Sequence, residues 1–578
     1  MAAACVADVG GASQPAARSL SVVTLSVVGT NDLHGGILPR DGRGGLALLA
    51  GYLNNVRRVR AQDGGAVLLI DAGDMFQGTL ESNLTEGAAV VQAYNALGYT
   101  AAAIGNHEFD FGPVGDRATP QHPGDDARGA LKARAVEARF PFLAANIVDE
   151  ATGQPVNWTN VKPSTVVEVA GIRVGIIGVT TEQTLSATMA ANTRGLRIAP
   201  IAQAITRHAS ALRSEGAAVI IVAAHAGGRC TQFADPDDLS SCERGAEIID
   251  VARALPTGLV DVIVAGHTHA GIAHEIADVA IVESFAGGQA FGRVDLTVDR
   301  SEGRVVGRRI FRPRDLCARE DPRSGRCDSG RGLSPSAVTA RYEGATVASD
   351  ESITRILTPA VENARTLKET TLDVWLDTPV RRALRQESAL GNLFADLMRE
   401  SVRGADVAIT NGGGLRADLP EGPLTYGELY EAMPFDNRLV QVSLTGREME
   451  RVLARHLSRD AAIVSISGIR VQIACESGVL DVRLVRETGA AVSDDEPLRV
   501  VTSDFLSTGG DGLFAPVAPL RIVSNGEDDP LMRDAMAMRL RSRGGHLRAD
   551  QLLDAKRPRL LYPRTTPIRC QPRGRGLV

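Results

Sequence analysis

Five short apolar runs in the first half of the chain each end in residues that bind metal ions: Ser21–Gly29 before Asp32 and His34, Ala66–Ile70 before Asp74, Ala101–Ile104 before Asn106 and His107, Ala217–Ala224 before His225, and Asp261–Ala265 before His267 and His269. Runs of this length and composition read as buried strands, so the ligating residues fall in loops at strand ends. Open α/β folds keep their sites at that edge of the sheet. Taken singly, each histidine is more often a core or surface residue than a ligand. As an ordered set, the seven metal-binding residues Asp32, His34, Asp74, Asn106, His225, His267 and His269 point to one dinuclear centre.

At 578 residues the chain exceeds a single core and calls for two to four domains at roughly 150 residues each. A formal net charge of -6 argues against binding duplex nucleic acid, which needs a basic face. No run approaches the ~20 apolar residues of a membrane-spanning helix. The first residues lack a charged segment followed by an apolar one, so no intact secretory signal is expected. Met1 to Cys5 reads M-A-A-A-C, which resembles the tail of a bacterial lipoprotein cleavage site and makes Cys5 a candidate lipid anchor; a plain unstructured start is the alternative. The other six cysteines fall as Cys230/Cys242, Cys317/Cys327 and the distant Cys475/Cys570, compatible with two short bridged loops and one tie of the C-terminal tail, or with reduced thiols in loops. Bridges would favour an extracytoplasmic location, whether periplasmic, cell-surface or secreted.

Strand and helix patterns alternate from about residue 21 to 314, as in a layered α/β domain. A Gly/Pro/Arg-rich passage from Arg312 to Pro335 breaks the alternation. Ile353, Ile356, Leu357, Ala360, Val361, Ala364 and Leu367 then recur at helical spacing behind Asp350 as cap, predicting a connecting helix. A second α/β region follows, with glycine-rich loops at 411–414 and 509–512. The expected division is an N-terminal tether over 1–21, a first domain over 22–340, a linking helix within 341–370, a second domain over 371–565 and a tail over 566–578. The Pro113–Gly129 insertion reads as a solvated loop, and His122, His208, His274, His456 and His546 belong to no set.

The strings T-N-D-L-H-G (30–35), G-D-M-F-Q-G-T (73–79), G-N-H-E-F-D-F-G (105–112), A-A-H-A-G (223–227) and G-H-T-H (266–269) resemble the calcineurin-like metallophosphatases. In the second half, E-S-x-L-G-N-L (387–393), N-G-G-G-L-R (411–416), M-P-F-D-N (433–437) and F-L-S-T-G-G-D-G (505–512) resemble the C-terminal domain of the 5'-nucleotidase family, bacterial type. The resemblance implies a four-layer αββα sandwich followed by a second α/β domain, and two divalent ions. Asp74 would bridge them, with Asp32, His34 and His269 on one and Asn106, His225 and His267 on the other. Mixed nitrogen and oxygen ligands suit Zn, Mn, Fe or Co alike. Two ions roughly 3.5 to 4 Å apart neutralise a phosphate ester and generate hydroxide near neutral pH. His107, oriented by Asp110, would donate to the phosphoryl oxygens or the leaving group, since a carboxylate fixes the tautomer of an imidazole and raises its basicity.

The same resemblance assigns Phe435 and Phe505 as a clamp for the base, Asp511 to the ribose hydroxyls, Asn437 to the base edge, and Asn411 and Arg416 to phosphate oxygens. The family places a further phosphate-binding arginine just before x-G-N-L; here Arg382 and Arg385 lie near that place without matching its spacing. The expected activity is phosphate release from nucleoside 5'-monophosphates, extending to di- and triphosphates or UDP-sugars. A 2',3'-cyclic nucleotide phosphodiesterase with 3'-nucleotidase activity is the runner-up on the same metal site, and thiosulfohydrolases share the architecture without needing Phe435 or Phe505. A non-catalytic nucleotide-binding surface protein would not need His107 and Asp110. The connecting helix further suggests that the nucleoside-binding half swings toward the metals.

Overall fold

The structure is a computed structural model that describes residues 22–115, 117–328, 336–459, 461–476, 478–524, 530–561 and 567–570. The first half is built on two large sheets. One orders its strands Arg304–Asp315, Ala290–Asp299, Val22–Thr30, Ala66–Asp71, Ala101–Ala103, Phe142–Leu143 and Val161–Lys162. The other runs Gly271–Ile276, Val279–Ser284, Val262–Ala265, Val219–His225, Ile172–Thr180 and Ser164–Val169.

Alternation along the strands shows how they stack. Leu25, Val27, Leu68 and Ile70 from the first sheet meet Ile176, Ile221 and Val264 from the second in one core. Their neighbours face outward: Val28 and Leu69 pack with Leu49, Tyr52, Val90 and Tyr94 of the helices Leu46–Asp63 and Ala88–Leu97. Ile177, Val222 and Ile263 pack with Ile205, Leu212 and Ile249 of the helices Ile201–Ser214 and Glu247–Ala254. The layers are therefore helix, sheet, sheet, helix, as the resemblance implied. Burial on both faces is why these strands read as unbroken apolar runs. Val22–Thr30, Ala66–Asp71 and Ala101–Ala103 pair in parallel, as do Val219–His225 and Val262–Ala265, so each sheet brings its motif loops to one edge.

The break expected from Arg312 begins later, because Arg304–Asp315 is one strand paired antiparallel with Ala290–Asp299. Its polar composition reflects an edge position: Arg308 pairs with Asp278, Arg314 with Glu320, and the Arg293 and Arg309 guanidinium groups lie 4.5 and 4.6 Å from the Phe311 ring centroid. Disulfides join Cys230 to Cys242, Cys317 to Cys327 and Cys475 to Cys570. Cys5 lies outside the described residues. No described helix is long and apolar enough to cross a membrane.

The connecting helix spans Glu351–Lys368, capped by Asp350, whose carboxylate accepts the Ser352 N–H at 2.9 Å. Beyond it, a five-stranded sheet orders Val464–Ser467, Val407–Asn411, Pro497–Ser503, Leu439–Thr445 and Arg521–Ser524. Val407–Asn411 runs parallel to Pro497–Ser503, and Leu439 registers with Ser503 in the antiparallel neighbour. That register places Asn411, the 433–437 loop and the 505–511 loop at one edge. The halves meet there: Lys368 Nζ reaches Glu81 at 2.7 Å and Glu431 at 3.2 Å, and Arg40 pairs with Glu431.

Candidate metal centre and cleft

Ligand atoms of Asp32, His34 and His269 converge within 4.8 Å of one another, and those of Asp74, His225 and His267 do the same. Asp74 stands between the groups: its Oδ2 is 3.1 Å from His225 Nε2 and 3.8 Å from His34 Nε2. Asn106 Oδ1 lies 3.0 Å from His225 Nε2. The backbone fixes the ring orientations. His34 Nδ1 bonds to the Gln77 carbonyl at 2.8 Å and His225 Nδ1 to the Ala72 carbonyl at 2.9 Å, so each Nδ1 donates and each Nε2 lone pair faces the centre. Two clusters of carboxylate oxygens and imidazole nitrogens sharing one carboxylate fit two divalent ions.

The loops hold these side chains in uncommon backbone conformations. Asp32, His34, Asp74, His267 and His269 all have φ between 49° and 77°. Left-handed backbone at non-glycine residues costs about 1–3 kcal/mol each and persists only where surroundings dictate it. Two buried carboxylates that the sequence reading passed over supply that support. Glu108 accepts backbone N–H bonds from Asp74 (2.9 Å), Met75 (2.7 Å) and Gly105 (2.7 Å). Glu283 accepts from the Thr268 hydroxyl (2.6 Å) and the N–H groups of Gly228 (3.1 Å) and Ala270 (3.3 Å), tying the His225 and His267–His269 loops together. Burial raises each carboxyl above its usual range, while those bonds favour the ionised, accepting form. Asn31 donates to Asp32 at 2.7 Å and to the Phe285 carbonyl at 2.6 Å. At Gly105 a Cβ would fall 2.2 Å from Asp74 Oδ1, so no larger residue fits beside that carboxylate.

His107 Nδ1 lies 2.6 Å from Asp110 Oδ2, and Asp110 Oδ1 accepts the Thr188 hydroxyl at 2.7 Å. Burial works against charge on this imidazole, but the Asp110 and Asp74 carboxylates outweigh it and hold His107 above its usual range. From the second half, Arg416 reaches in to 3.1 Å from His34 Nε2.

A cleft of about 950 Å3 opens over the centre. It is lined from one side by Asp74, Asn106, His107, His267 and His269, and from the other by Arg382, Asn411, Arg416, Phe435, Asn437, Phe505 and Asp511. Asn411 Nδ2 donates to Asp511 Oδ2 at 2.7 Å, and Arg382 donates to the Leu415 carbonyl at 2.6 Å. The Phe435 ring sits 5.6 Å from His107 and 5.7 Å from Arg416, near the metal centre. Arg385 is not among the lining residues. The five remaining histidines lie away from the centre; His456, for example, is buried and donates to the Ala462 carbonyl at 2.8 Å.

Glu108 and Gln77 sit inside the quoted motifs, which is the signal that could have singled them out. Glu283 is a lone carboxylate in the apolar run V-A-I-V-E-S.

A family model described as calcineurin-like phosphoesterase matches residues 25–271, and one described as 5'-nucleotidase, C-terminal domain, matches 366–518. The chain is 26% identical over 514 residues to Protein UshA of Yersinia enterocolitica, covering 84% of this chain and 86% of that protein. It is 25% identical over 528 residues to a 5'-nucleotidase of Diplobatis ommata, covering 84% and 82%. Among solved structures, a 5'-nucleotidase precursor from Thermus thermophilus superposes with a TM-score of 0.70 at 25% identity, covering 94% of this chain and all of that one.

Proposed function

Because the chain belongs to the 5'-nucleotidase family of metallophosphatases, we propose that it releases phosphate from nucleoside 5'-monophosphates, with di- and triphosphates and UDP-sugars as further substrates. One observation carries this reading: a single cleft is lined by the metal-ligating loops of the first half and by Phe435, Asn437, Phe505 and Asp511 of the second. A phosphate and a base joined through a ribose would span it.

Asp32, His34 and His269 would hold one ion and Asn106, His225 and His267 the other, with Asp74 shared; Zn, Mn, Fe and Co all suit these donors. When bound, the ions supply neutralisation of the phosphoryl charge and hydroxide near neutral pH. Arg416, beside His34, binds a phosphoryl oxygen and draws the phosphate toward the centre. With Nδ1 given to Asp110, His107 keeps Nε2–H for the ester: as water adds to phosphorus and the P–O5' bond breaks, that proton goes to the leaving oxygen. Phe505 and Phe435 bracket the base, Asn437 meets its edge and Asp511 takes the ribose hydroxyls. Arg382, which lines the cleft, is the better placed of the two extra arginines to bind a second phosphate.

In domain terms, 22–340 is the metal-binding unit and 371–565 the nucleoside-binding unit, joined by the helix within 341–370. Three disulfides persist in an oxidising compartment, which supports an extracytoplasmic location.

The test is phosphate release from AMP, 3'-AMP, 2',3'-cyclic AMP, ADP and UDP-glucose by metal-reconstituted protein. Highest kcat/KM on AMP is expected. Preference for the cyclic or 3' substrates would instead assign the phosphodiesterase reading, and no release from any would exclude both.

A further inference from the structure

We propose that Arg533 is a positioning residue for nucleoside recognition: a buried guanidinium that sets the backbone of the 433–437 loop and thereby the place of Phe435 and Asn437. This rests on the reading of the cleft as a nucleotide site.

Arginine is almost never fully buried unless its donors are used. Arg533, second residue of the helix Met532–Arg543, is 3% exposed. Its Nε donates to the Tyr426 hydroxyl at 3.1 Å. One terminal nitrogen donates to the carbonyls of Met433 (3.2 Å) and Phe435 (3.0 Å), and the other to the Asp436 carboxylate at 2.6 Å. The face of the guanidinium lies 4.0 Å from the Tyr430 ring centroid, a cation–π contact. Three of the five loop residues are thus held by one planar fork, a geometry a lysine ammonium cannot reproduce.

The other two are held as well. Met532 N–H donates to the Asn437 carbonyl at 2.8 Å. The Pro434 carbonyl accepts the side-chain amides of Gln77 at 2.7 Å and Asn83 at 3.2 Å, both from the metal-binding half. The backbone carbonyls of 433, 434, 435 and 437 therefore all have partners, and among the described residues those of 433 and 435 accept from Arg533. Without it, two carbonyls and a phenol lose their donor, and the loop is free to move by the ångström or so that stacking on a base does not tolerate. The Tyr426 hydroxyl also donates to Asp534 at 2.6 Å, so the same network anchors the start of the helix that carries Arg533.

The test compares Arg533→Met and Arg533→Lys with the unaltered metal-loaded enzyme, reading kcat and KM for AMP and the inhibition constant of inorganic phosphate. Phosphate carries no base, so its binding draws on neither stacking against Phe435 nor the Asn437 contact. The expected result for both variants is a KM for AMP raised about 10- to 100-fold, with kcat and the phosphate inhibition constant changed by no more than about threefold. Parallel weakening of AMP and phosphate would overturn the proposal, since a general loss of structure moves both; so would an unchanged KM. If the Arg533 variants do not fold, Asp436→Ala decides: Asp436 is exposed, so the variant removes the acceptor of one arm of the network without opening the interior, and a rise in KM for AMP of at least about threefold with unchanged phosphate inhibition is expected. No effect there would overturn the proposal. Failure of the unaltered enzyme to act on AMP would instead sink the nucleotidase reading, and this inference with it.

Discussion

Replacing Glu108 by glutamine keeps the volume of the side chain and tests whether a carboxylate that touches no ligand atom governs metal affinity. Glu108 is 1% exposed, and one of its oxygens accepts two N–H bonds, from Asp74 and Gly105, while the other accepts Met75. A glutamine would keep its oxygen at the two-donor side and turn its NH2 toward the Met75 N–H. One hydrogen bond is then lost and a buried donor left facing another donor, a cost of about 1–3 kcal/mol. Asp74 sits in that loop with φ 57°, a conformation the Glu108 bonds enforce, so the cost falls on the geometry of the shared carboxylate. Converted at about 1.4 kcal/mol per decade, metal affinity drops roughly 5- to 150-fold, in line with the 10- to 100-fold typical of groups that orient ligands. Chelator competition on reconstituted protein measures the affinity, and thermal unfolding of the metal-free and metal-loaded forms locates the loss. Unchanged metal affinity alongside lowered stability of both forms would refute the reasoning and leave Glu108 a packing residue.

His107→Asn should lower kcat on AMP by about 10²- to 10⁴-fold while metal content, read by elemental analysis, stays at the unaltered level. Phe505→Ala should raise KM for AMP by the roughly 1–3 kcal/mol of one base stack, with inhibition by inorganic phosphate unchanged. Asp71 is buried behind the metal loop and accepts the Thr30 and Tyr94 hydroxyls at 2.7 and 2.9 Å; burial pushes its carboxyl from 3.8 up to about 7. Because the folded pKa is the higher one, the stability it contributes is full below about pH 4 and lost as pH rises through 7, about 4 kcal/mol in all. Unfolding midpoints from pH 4 to 7 should therefore slope less in Asp71→Asn, and parallel curves would contradict this.

The first half was legible because its strands are buried on both faces: each unbroken apolar run located a strand, and the loop after it held a candidate ligand. Asn411, Phe435 and Asp511 were reachable only through motif resemblance, since a lone aromatic or carboxylate in a loop carries no periodicity. Glu108 and Glu283 stayed hidden because most of their partners are backbone N–H groups, which leave no mark on residue type, and Arg533 because nothing near it in sequence hints at the 433–437 loop. Residues 312–315, the end of the strand Arg304–Asp315, read as the start of a break because they lie at a polar sheet edge, where Arg314 pairs with Glu320. The cysteine spacing fitted the three bridges that form, but proximity alone did not require them.

The most direct measurement is AMP hydrolysis by metal-free protein titrated with manganese or zinc. Activity absent at zero and rising to a plateau at two equivalents, and abolished in Asp74→Asn, is the predicted result. Full activity at one equivalent, or turnover that does not depend on added metal, would contradict a shared two-ion centre.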